Sequence, residues 1–149
     1  MTDIEEEIGC LARNYLEGQT FGKWSNRESK LVSLLLVFDA QVLNGGLLQW
    51  YGNPCGGFLK ETVHRFELVG CTEIAERLQS YCENYFGRLE FSSYEDRSLL
   101  IDGLLNRPKD WLAIIEGFDY WYENQREQFM RKLLEFLQEN RPKKNPENR

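Results

Sequence analysis

The chain has 149 residues, of which 42% are hydrophobic, enough for one ordinary domain that buries about two-thirds of its unfolded surface. Its formal net charge is −6, which repels phosphate groups and so argues against direct binding to nucleic acid or to an anionic membrane. The same charge suits a partner that is itself basic.

The first half of the chain predicts helices separated by glycine-containing turns. Thr2 and the acidic cluster behind it predict a helix to about Leu16, because Thr caps helices and acids favour the first turn. A second helix is predicted from about Asn26 to Leu43, and its middle, 31–38, is apolar nearly all round, which is typical of a buried helix. Asn44-Gly45-Gly46 is expected to end it. A short helix over 47–51, a loop over 52–57 and a helix over 58–69 follow.

The second half continues the helical pattern. Thr72 is expected to cap a helix that ends near Gly87, and Ser92 with Glu95 forms a capping box for the next. That helix has four leucines to bury: Leu99, Leu100, Leu104 and Leu105. A last helical stretch runs over 110–140, with Gly117 as a dividing point.

No convincing strand pattern appears anywhere in the sequence. Residues 141–149 carry two prolines, four basic residues and one acid, and are predicted to be a disordered basic tail. The sequence therefore predicts an all-α fold, with residues 1–140 as a single compact multi-helix domain around the buried central helix.

Unusual residues are densest around the predicted turn at Asn44-Gly45-Gly46. Asp39 shares a helical face with Val32 and Leu35, so we expect it to be at least partly buried and to need hydrogen-bond donors. The free N–H groups of the Gly45-Gly46 turn are near enough in sequence to supply them.

Two interpretations of this corner are open. On the structural one, Asp39, Asn44 and Gln49 lock a helix–turn–helix corner. On the functional one, they form a polar pocket for a ligand, which opens beside Gln41, Gln49 and Asn53. The structural interpretation is favoured, because buried polar residues more often satisfy backbone groups than bind a substrate.

The pattern Asp-x-Gln-Val-x-Asn-Gly-Gly-x-x-Gln-Trp-Tyr-x-Asn, from Asp39 to Asn53, resembles that of the DNA-mimic-protein family. Phe118-Asp119-x-x-Tyr122 is similar to the family's aromatic–acid–aromatic segment, and the resemblance extends over about residues 30 to 137. The residues of the fingerprint are Asp39, Gln41, Asn44, Gly45, Gly46, Gln49 and Asn53.

The resemblance implies an all-helical fold that is often a homodimer. For the best-known member it also implies that surface carboxylates imitate DNA phosphates and occupy a DNA-binding protein. Most members have no assigned function, and the family has no established catalytic residues to carry over. The fingerprint does not by itself carry the mimic function.

Two sets of acids have the helical spacing that a row of carboxylates needs. The candidate partner-binding acids are Glu116, Asp119, Glu123 and Glu127 in one row and Glu73, Glu76 and Glu83 in another. Asp3 with Glu6 or Glu7 could add a third. Arg126 falls on the face of the first row and Arg77 dilutes the second. A face that only keeps the protein soluble is the favoured alternative.

The sequence contains no catalytic constellation that we can identify. The four cysteines include no C-x-x-C pair, and His64 is the only histidine, so no metal site and no cofactor is predicted. We expect the cysteines to be buried, reduced thiols and His64 to lie on the surface. The acidic N-terminus is unlike a secretory signal, so we expect a cytoplasmic protein.

The leading hypothesis is therefore a non-catalytic acidic binding protein that acts as a DNA mimic and engages a basic, DNA-binding protein. One alternative is an immunity-type inhibitor of a nuclease toxin. Another, from a different class, is a small-molecule enzyme or sensor that uses the polar corner around Asp39 and Asn44.

Overall fold

The computed structural model describes residues 3–87 and 93–140, and these residues form a helical fold. The predicted Thr2 cap and the tail over 141–149 lie outside the described residues. The α-helices are α1 (Asp3–Leu16), α2 (Arg27–Gly52), α3 (Leu59–Leu68), α4 (Thr72–Phe86), α5 (Tyr94–Leu105), α6 (Pro108–Ile114) and α7 (Tyr120–Glu139). A 3-10 helix, Pro54–Phe58, joins α2 to α3, and a π-helical segment, Ile115–Asp119, joins α6 to α7. Within the described ranges no β-strand occurs, which confirms the all-α prediction.

Helix α2 lies at the centre of the fold, as its apolar middle predicted. It packs against α1, α3, α5 and the π segment. Phe38 is fully buried, and its ring makes edge-to-face contacts with Trp50, Phe66, Phe118 and Tyr122. Aromatic pairs of this geometry add to the stability that burial alone provides. Residues from four separate segments thus meet on one side chain of α2.

By length and composition, α2 would also be able to cross a membrane. The buried core helix of a globular domain passes the same test, and half of the apolar window is buried inside this fold. The helix also carries the buried carboxylate of Asp39. These features are those of a core helix.

A kink at Gly46 divides α2. Gly46 has φ 80° and ψ −177°, a backbone conformation that is essentially restricted to glycine. Asn44-Gly45-Gly46 was predicted to end the helix, and the structure has a kink there instead of an end. The interruption is confined to Gly46, and the helix resumes at once and continues to Gly52.

Three predicted helix starts have different outcomes. Asn26 is the N-cap of α2, and its side chain accepts a hydrogen bond from the Ser29 N–H, as the predicted start requires. The prediction for Thr72 was wrong, because Cys71 holds the N-cap position of α4 without a side-chain cap. Ser92 lies outside the described residues, and it is Ser93 whose hydroxyl accepts from the Asp96 N–H at the start of α5.

The predicted burial of the α5 leucines was largely wrong. Leu104 is fully buried, but Leu99 and Leu105 are 70% and 53% exposed. The buried charged residue of α5 is Arg97, which donates hydrogen bonds to the backbone carbonyls of Tyr51 and Asn53. The last carbonyls of a helix have no partner within the helix, so the end of α2 favours an arginine at this contact over a leucine.

Gly117 divides the last helical stretch, as predicted, by lying in the π segment. A side chain at this position would collide with the Tyr81 hydroxyl of α4, so glycine allows the close approach of the two elements. The insertion of a π turn rotates the residues that follow it relative to α6. Asp119, the last residue of the π segment, faces the kink of α2.

Candidate functional site

Asp39 is buried, and the prediction of its hydrogen-bond donors was wrong. The carboxylate accepts a hydrogen bond from the Tyr122 hydroxyl at 2.8 Å and two from the Arg126 guanidinium at 2.9 and 3.0 Å. These donors lie on α7 rather than in the Gly45-Gly46 turn. Asp39 is a full helical turn before the glycines, and its side chain points across to the neighbouring helix instead of along its own.

Arg126 connects three helices. It forms ion pairs with Asp39 of α2 and with Glu5 of α1, and its side chain is only 24% exposed. The hydrogen bond to Asp39 is the main cause that raises the pKa of Arg126, and burial raises the pKa of Tyr122 well above its ordinary value. The expectation that Arg126 interrupts the acidic row on α7 was therefore wrong, because its charge is turned inward.

Asp119 provides the acceptor for a backbone N–H group next to the glycine turn. Its Oδ1 accepts a hydrogen bond from the Leu47 N–H at 2.9 Å, where the second half of α2 begins. Burial raises the pKa of Asp119 to about 6, the Leu47 hydrogen bond opposes this rise, and the charge of Glu123 adds to it. Asp119 was predicted to be a partner-binding acid, but its carboxylate is half-buried against α2 and is occupied there.

The amide side chains of the fingerprint are joined to one another. Gln41 Oε1 accepts hydrogen bonds from Gln49 Nε2 at 2.8 Å and from Asn53 Nδ2 at 2.7 Å. Gln49 Oε1 in turn accepts from Asn44 Nδ2 at 3.1 Å. A Cβ added at Gly45 would collide with the Gln49 side chain, so this glycine leaves the space that the network occupies.

This geometry matches the structural interpretation of the corner. Six of the seven fingerprint residues form the kink and the hydrogen bonds around it, while Asp39 joins α2 to α7. Two cavities elsewhere, of 470 Å³ beside the α1–α2 connection and 340 Å³ beside α3, are lined by other residues. The pocket expected beside Gln41, Gln49 and Asn53 is at neither place.

The remaining candidate acids lie on the surface of three elements, α4, the π segment and α7. We call them the acidic face, which consists of Glu73, Glu76 and Glu83 of α4, Glu116 of the π segment, and Glu123 and Glu127 of α7. All six are exposed. Helix α4 packs against the π segment, where the rings of Tyr81 and Phe118 are 5.6 Å apart. The two predicted rows are thus carried by neighbouring elements.

Arg77, which was expected to dilute the row on α4, lies over a ring. Its guanidinium carbon is 4.2 Å from the centre of the Trp121 ring of α7. Cation–π contact of this kind holds a guanidinium flat against the protein. Arg77 therefore still places a positive charge beside the acids of α4, but its guanidinium group contacts Trp121.

The exposed charged groups of the described residues are mostly acidic. Sixteen acids are exposed: Asp3, Glu6, Glu7, Glu17, Glu67, Glu73, Glu76, Glu83, Glu95, Asp96, Asp102, Glu116, Glu123, Glu127, Glu135 and Glu139. Only seven lysines and arginines are exposed: Arg13, Lys23, Arg27, Lys60, Arg107, Lys109 and Arg131. The described surface thus carries nine more acids than lysines and arginines.

Several cations of the described residues are bound to other groups of the fold. Arg97 is bound to backbone carbonyls, Arg126 to carboxylates and Arg77 to a ring, while Lys132 donates to the Gly70 carbonyl. The sequence reasoning missed Arg97 entirely. Its only signal was a basic residue within the apolar pattern of α5.

The histidine and the four cysteines differ in their exposure. His64 is exposed, as predicted, and its ring lies 3.8 Å from the Glu67 carboxylate. Cys55, Cys71 and Cys82 are buried free thiols, but the prediction for Cys10 was wrong, because it is exposed on α1. In the part of the chain that the structure describes, no three His, Cys, Asp or Glu side chains are grouped to hold a metal ion.

Comparison with known proteins gives a match over the kinked helix, the acidic face and α7. The model of the DMP19-like protein family matches residues 25–140. The chain belongs to this family. The resemblance to DNA-mimic proteins is therefore confirmed, and the family association suggests DNA mimicry. Searches of curated proteins and of solved structures found no match.

Proposed function

We propose that this chain is a non-catalytic cytoplasmic protein whose acidic face occupies the DNA-binding surface of a basic protein in place of DNA. The observation that carries the proposal is the excess of exposed carboxylates over exposed cations on the described surface, with six of these carboxylates in the acidic face. Membership of the DMP19-like family supports the same function.

The acidic face places carboxylates in rows, as phosphates are placed in rows along DNA. Each DNA strand presents a phosphate charge about every 3.4 Å along the helix axis. Glu73 and Glu76 are three residues apart, and Glu123 and Glu127 are four apart, so their Cβ atoms are separated by roughly 5–6 Å. One row lies on α4 and the other on the π segment and α7, and each would offer carboxylates at this spacing to a basic protein.

Most of these carboxylates are available to a partner. Among the described residues, Glu73, Glu76, Glu116 and Glu123 form no ion pair. Glu127 pairs with Arg131, but both side chains are largely exposed, and such pairs contribute little to stability. A basic partner would therefore displace few interactions when it binds.

The residues for a charge-reversal test are chosen from the exposed acids of the acidic face. Asp119 is excluded from a charge reversal, because a lysine there would remove the hydrogen bond to the Leu47 N–H and would damage the fold. The informative variant reverses Glu116, Glu123 and Glu127 to lysine. A matched control reverses Glu17, Asp102 and Glu139, which are equally exposed and change the net charge by the same amount.

The experiment begins with capture of native proteins on the immobilised wild-type chain, followed by elution with excess duplex DNA. A protein eluted in this way is then purified and titrated with the wild type and both triple variants. We expect the acidic-face variant to lose most of its affinity, the control to retain it, and duplex DNA to compete with the wild type.

Two results would contradict the proposal. One is equal loss of affinity in both triple variants, which would mean that only the overall charge matters. The other is a partner that binds the wild type and duplex DNA at the same time, since a mimic and DNA must exclude one another. Circular dichroism of each variant shows whether the helical fold is retained.

A further inference from the structure

A cationic cavity lies on a part of the surface away from the acidic face. It has a volume of 340 Å³ and lies where the start of α2, the α3 helix and the end of α7 meet. Arg27 and Arg65 contribute positive charge to its lining, and Leu31, Leu68 and Phe136 contribute apolar surface. Its volume is at the lower end of the range for small-molecule sites, which begins at about 300 Å³.

The two arginines, of which Arg27 is exposed and Arg65 is partly buried, differ in their contacts from three other arginines of the fold. Arg97, Arg126 and Arg77 are directed at carbonyls, carboxylates or a ring. Within the described residues, Arg27 and Arg65 form no ion pair, and Arg65 makes only a long hydrogen bond of 3.4 Å to the Glu61 carbonyl. Two guanidinium groups that form no ion pair among the described residues thus line one cavity.

The two charges also act on one another. Burial lowers the pKa of Arg65, the charge of Glu61 opposes this, and the positive charge of Arg27 lowers the pKa further. This repulsion means that an anion between the two groups would be attracted by both. Guanidinium groups bind carboxylates and phosphates with paired, charge-assisted hydrogen bonds.

The apolar part of the lining defines the rest of the ligand. Leu68 is 47% exposed, although it is a large aliphatic residue at the end of α3. Leu31 is buried beneath the cavity, and Phe136 is partly buried beside it. A ligand with an apolar body would cover this surface, whereas an inorganic ion would leave it in contact with water.

We propose that this cavity binds a small organic anion, with a carboxylate or phosphate head group held by Arg27 and Arg65 and an apolar body against Leu31, Leu68 and Phe136. The carboxylate of Glu28 also lines the cavity and opposes the binding of an anion. Removal of this charge in Glu28→Gln is therefore expected to strengthen the binding of an anion.

The test uses four probes on the full chain and follows the backbone amide signals of α2, α3 and α7 by NMR. Phenylacetate carries both parts of the proposed ligand, acetate lacks the apolar ring, and benzyl alcohol lacks the charge. Phenyl phosphate distinguishes the two head groups. We expect saturable shifts near Arg27 and Arg65 with phenylacetate or phenyl phosphate at millimolar concentrations, and much weaker binding of acetate and benzyl alcohol.

Single substitutions then identify the charged groups. Arg65→Gln should weaken phenylacetate or phenyl phosphate binding about tenfold, the effect typical of losing one charge-assisted hydrogen bond. Arg27→Gln, at an exposed position, tests the same point with less risk to the fold. Glu28→Gln should strengthen binding, and Arg131→Gln, an exposed arginine elsewhere on α7, should leave it unchanged.

Several outcomes would overturn the proposal. These are no saturable shift with any probe, equal binding of benzyl alcohol and phenylacetate, equal binding of acetate and phenylacetate, or shifts that survive both arginine substitutions. The site is separate from the acidic face, so the variant with Glu116, Glu123 and Glu127 reversed should retain probe binding. The two proposals can thus fail independently.

Discussion

The carboxylate of Asp119 accepts a hydrogen bond from the backbone N–H of Leu47, 72 residues earlier in the chain. At this point Gly46 breaks α2, so the second half of the helix begins with N–H groups that lack intrahelical partners. A carboxylate at a helix start satisfies such a group and interacts favourably with the helix dipole. The π segment of one helix thus stabilises the kink of another.

The first prediction concerns the close approach of the Asp119 carboxylate to Gly46. Gly46→Ala should destabilise the fold by about 1–3 kcal/mol from the backbone conformation alone, and by more because the new Cβ would collide with the Asp119 carboxylate. Urea unfolding measures the effect. The control is Gly103→Ala in α5, where a Cβ meets no atom within 4 Å and should stabilise the helix by about 0.5–1 kcal/mol. Equal effects at the two glycines would contradict this account.

The second prediction concerns the charge of Asp119. Its pKa is raised from 3.8 to about 6 in the fold, so between these values the folded state holds a proton that the unfolded state releases. Stability from this group is therefore present at low pH and is lost as pH rises through about 6. Solvent screens a half-buried carboxylate, so we expect a loss of only about 1 kcal/mol.

Asp119→Asn isolates this effect, because an amide oxygen can still accept from the Leu47 N–H but carries no charge. The free energy of unfolding is measured for both proteins at about pH 4.5 and about pH 7.5. We expect similar stabilities at the lower pH and a more stable variant at the higher one. A variant that falls further below the wild type in stability at the higher pH would show instead that the charge of Asp119 is stabilising.

The third prediction concerns thiol reactivity. Burial raises the pKa of Cys71 to about 11, and it also raises the pKa of Cys55 and, most strongly, of Cys82. Cys10 is the exposed thiol of the four. A thiol-specific chromogenic disulfide should therefore modify one cysteine per native chain quickly and all four after unfolding. Loss of the fast phase in Cys10→Ser would confirm its source, and a second fast thiol would contradict the burial pattern.

The fold could be predicted largely because its signals are local. The apolar middle of α2, the glycines that break it and the glycine in the π segment are each recognisable within a few residues. The predicted helix boundaries agree closely with the structure for the same reason. The burial of the α5 leucines was wrongly predicted, because the buried face of α5 packs against the polar end of α2. The spacing of apolar residues within α5 does not reveal this contact.

The site was harder to predict because its contacts join distant segments. The sequence indicated that Asp39 is buried and needs donors, but the nearest backbone N–H groups were chosen instead of residues on α7. A signal was present, since Tyr122 and Arg126 are four residues apart and Phe129 follows three later, on one helical stripe. An arginine within an apolar stripe predicts a buried ion pair, and Asp39 was the buried acid that lacked a partner.

The fourth prediction tests that ion pair. Arg126→Met should destabilise the fold by about 3 kcal/mol, because it leaves the buried Asp39 carboxylate with only the Tyr122 hydroxyl as a donor. Arg131→Met is the matched control on the same helix, since its pair with Glu127 is exposed and should be worth less than about 0.5 kcal/mol. Urea unfolding of both variants provides the comparison.

A second substitution separates the charge from the packing of the arginine. If the cost of Arg126→Met comes from an unpaired buried carboxylate, then Asp39→Asn in the same chain should recover part of the loss. If the double variant is instead as unstable as the sum of the two single variants, the arginine stabilises the fold through its packing and its contact with Glu5. The outcome thus decides whether Asp39 and Arg126 act as one unit at the centre of the family fingerprint.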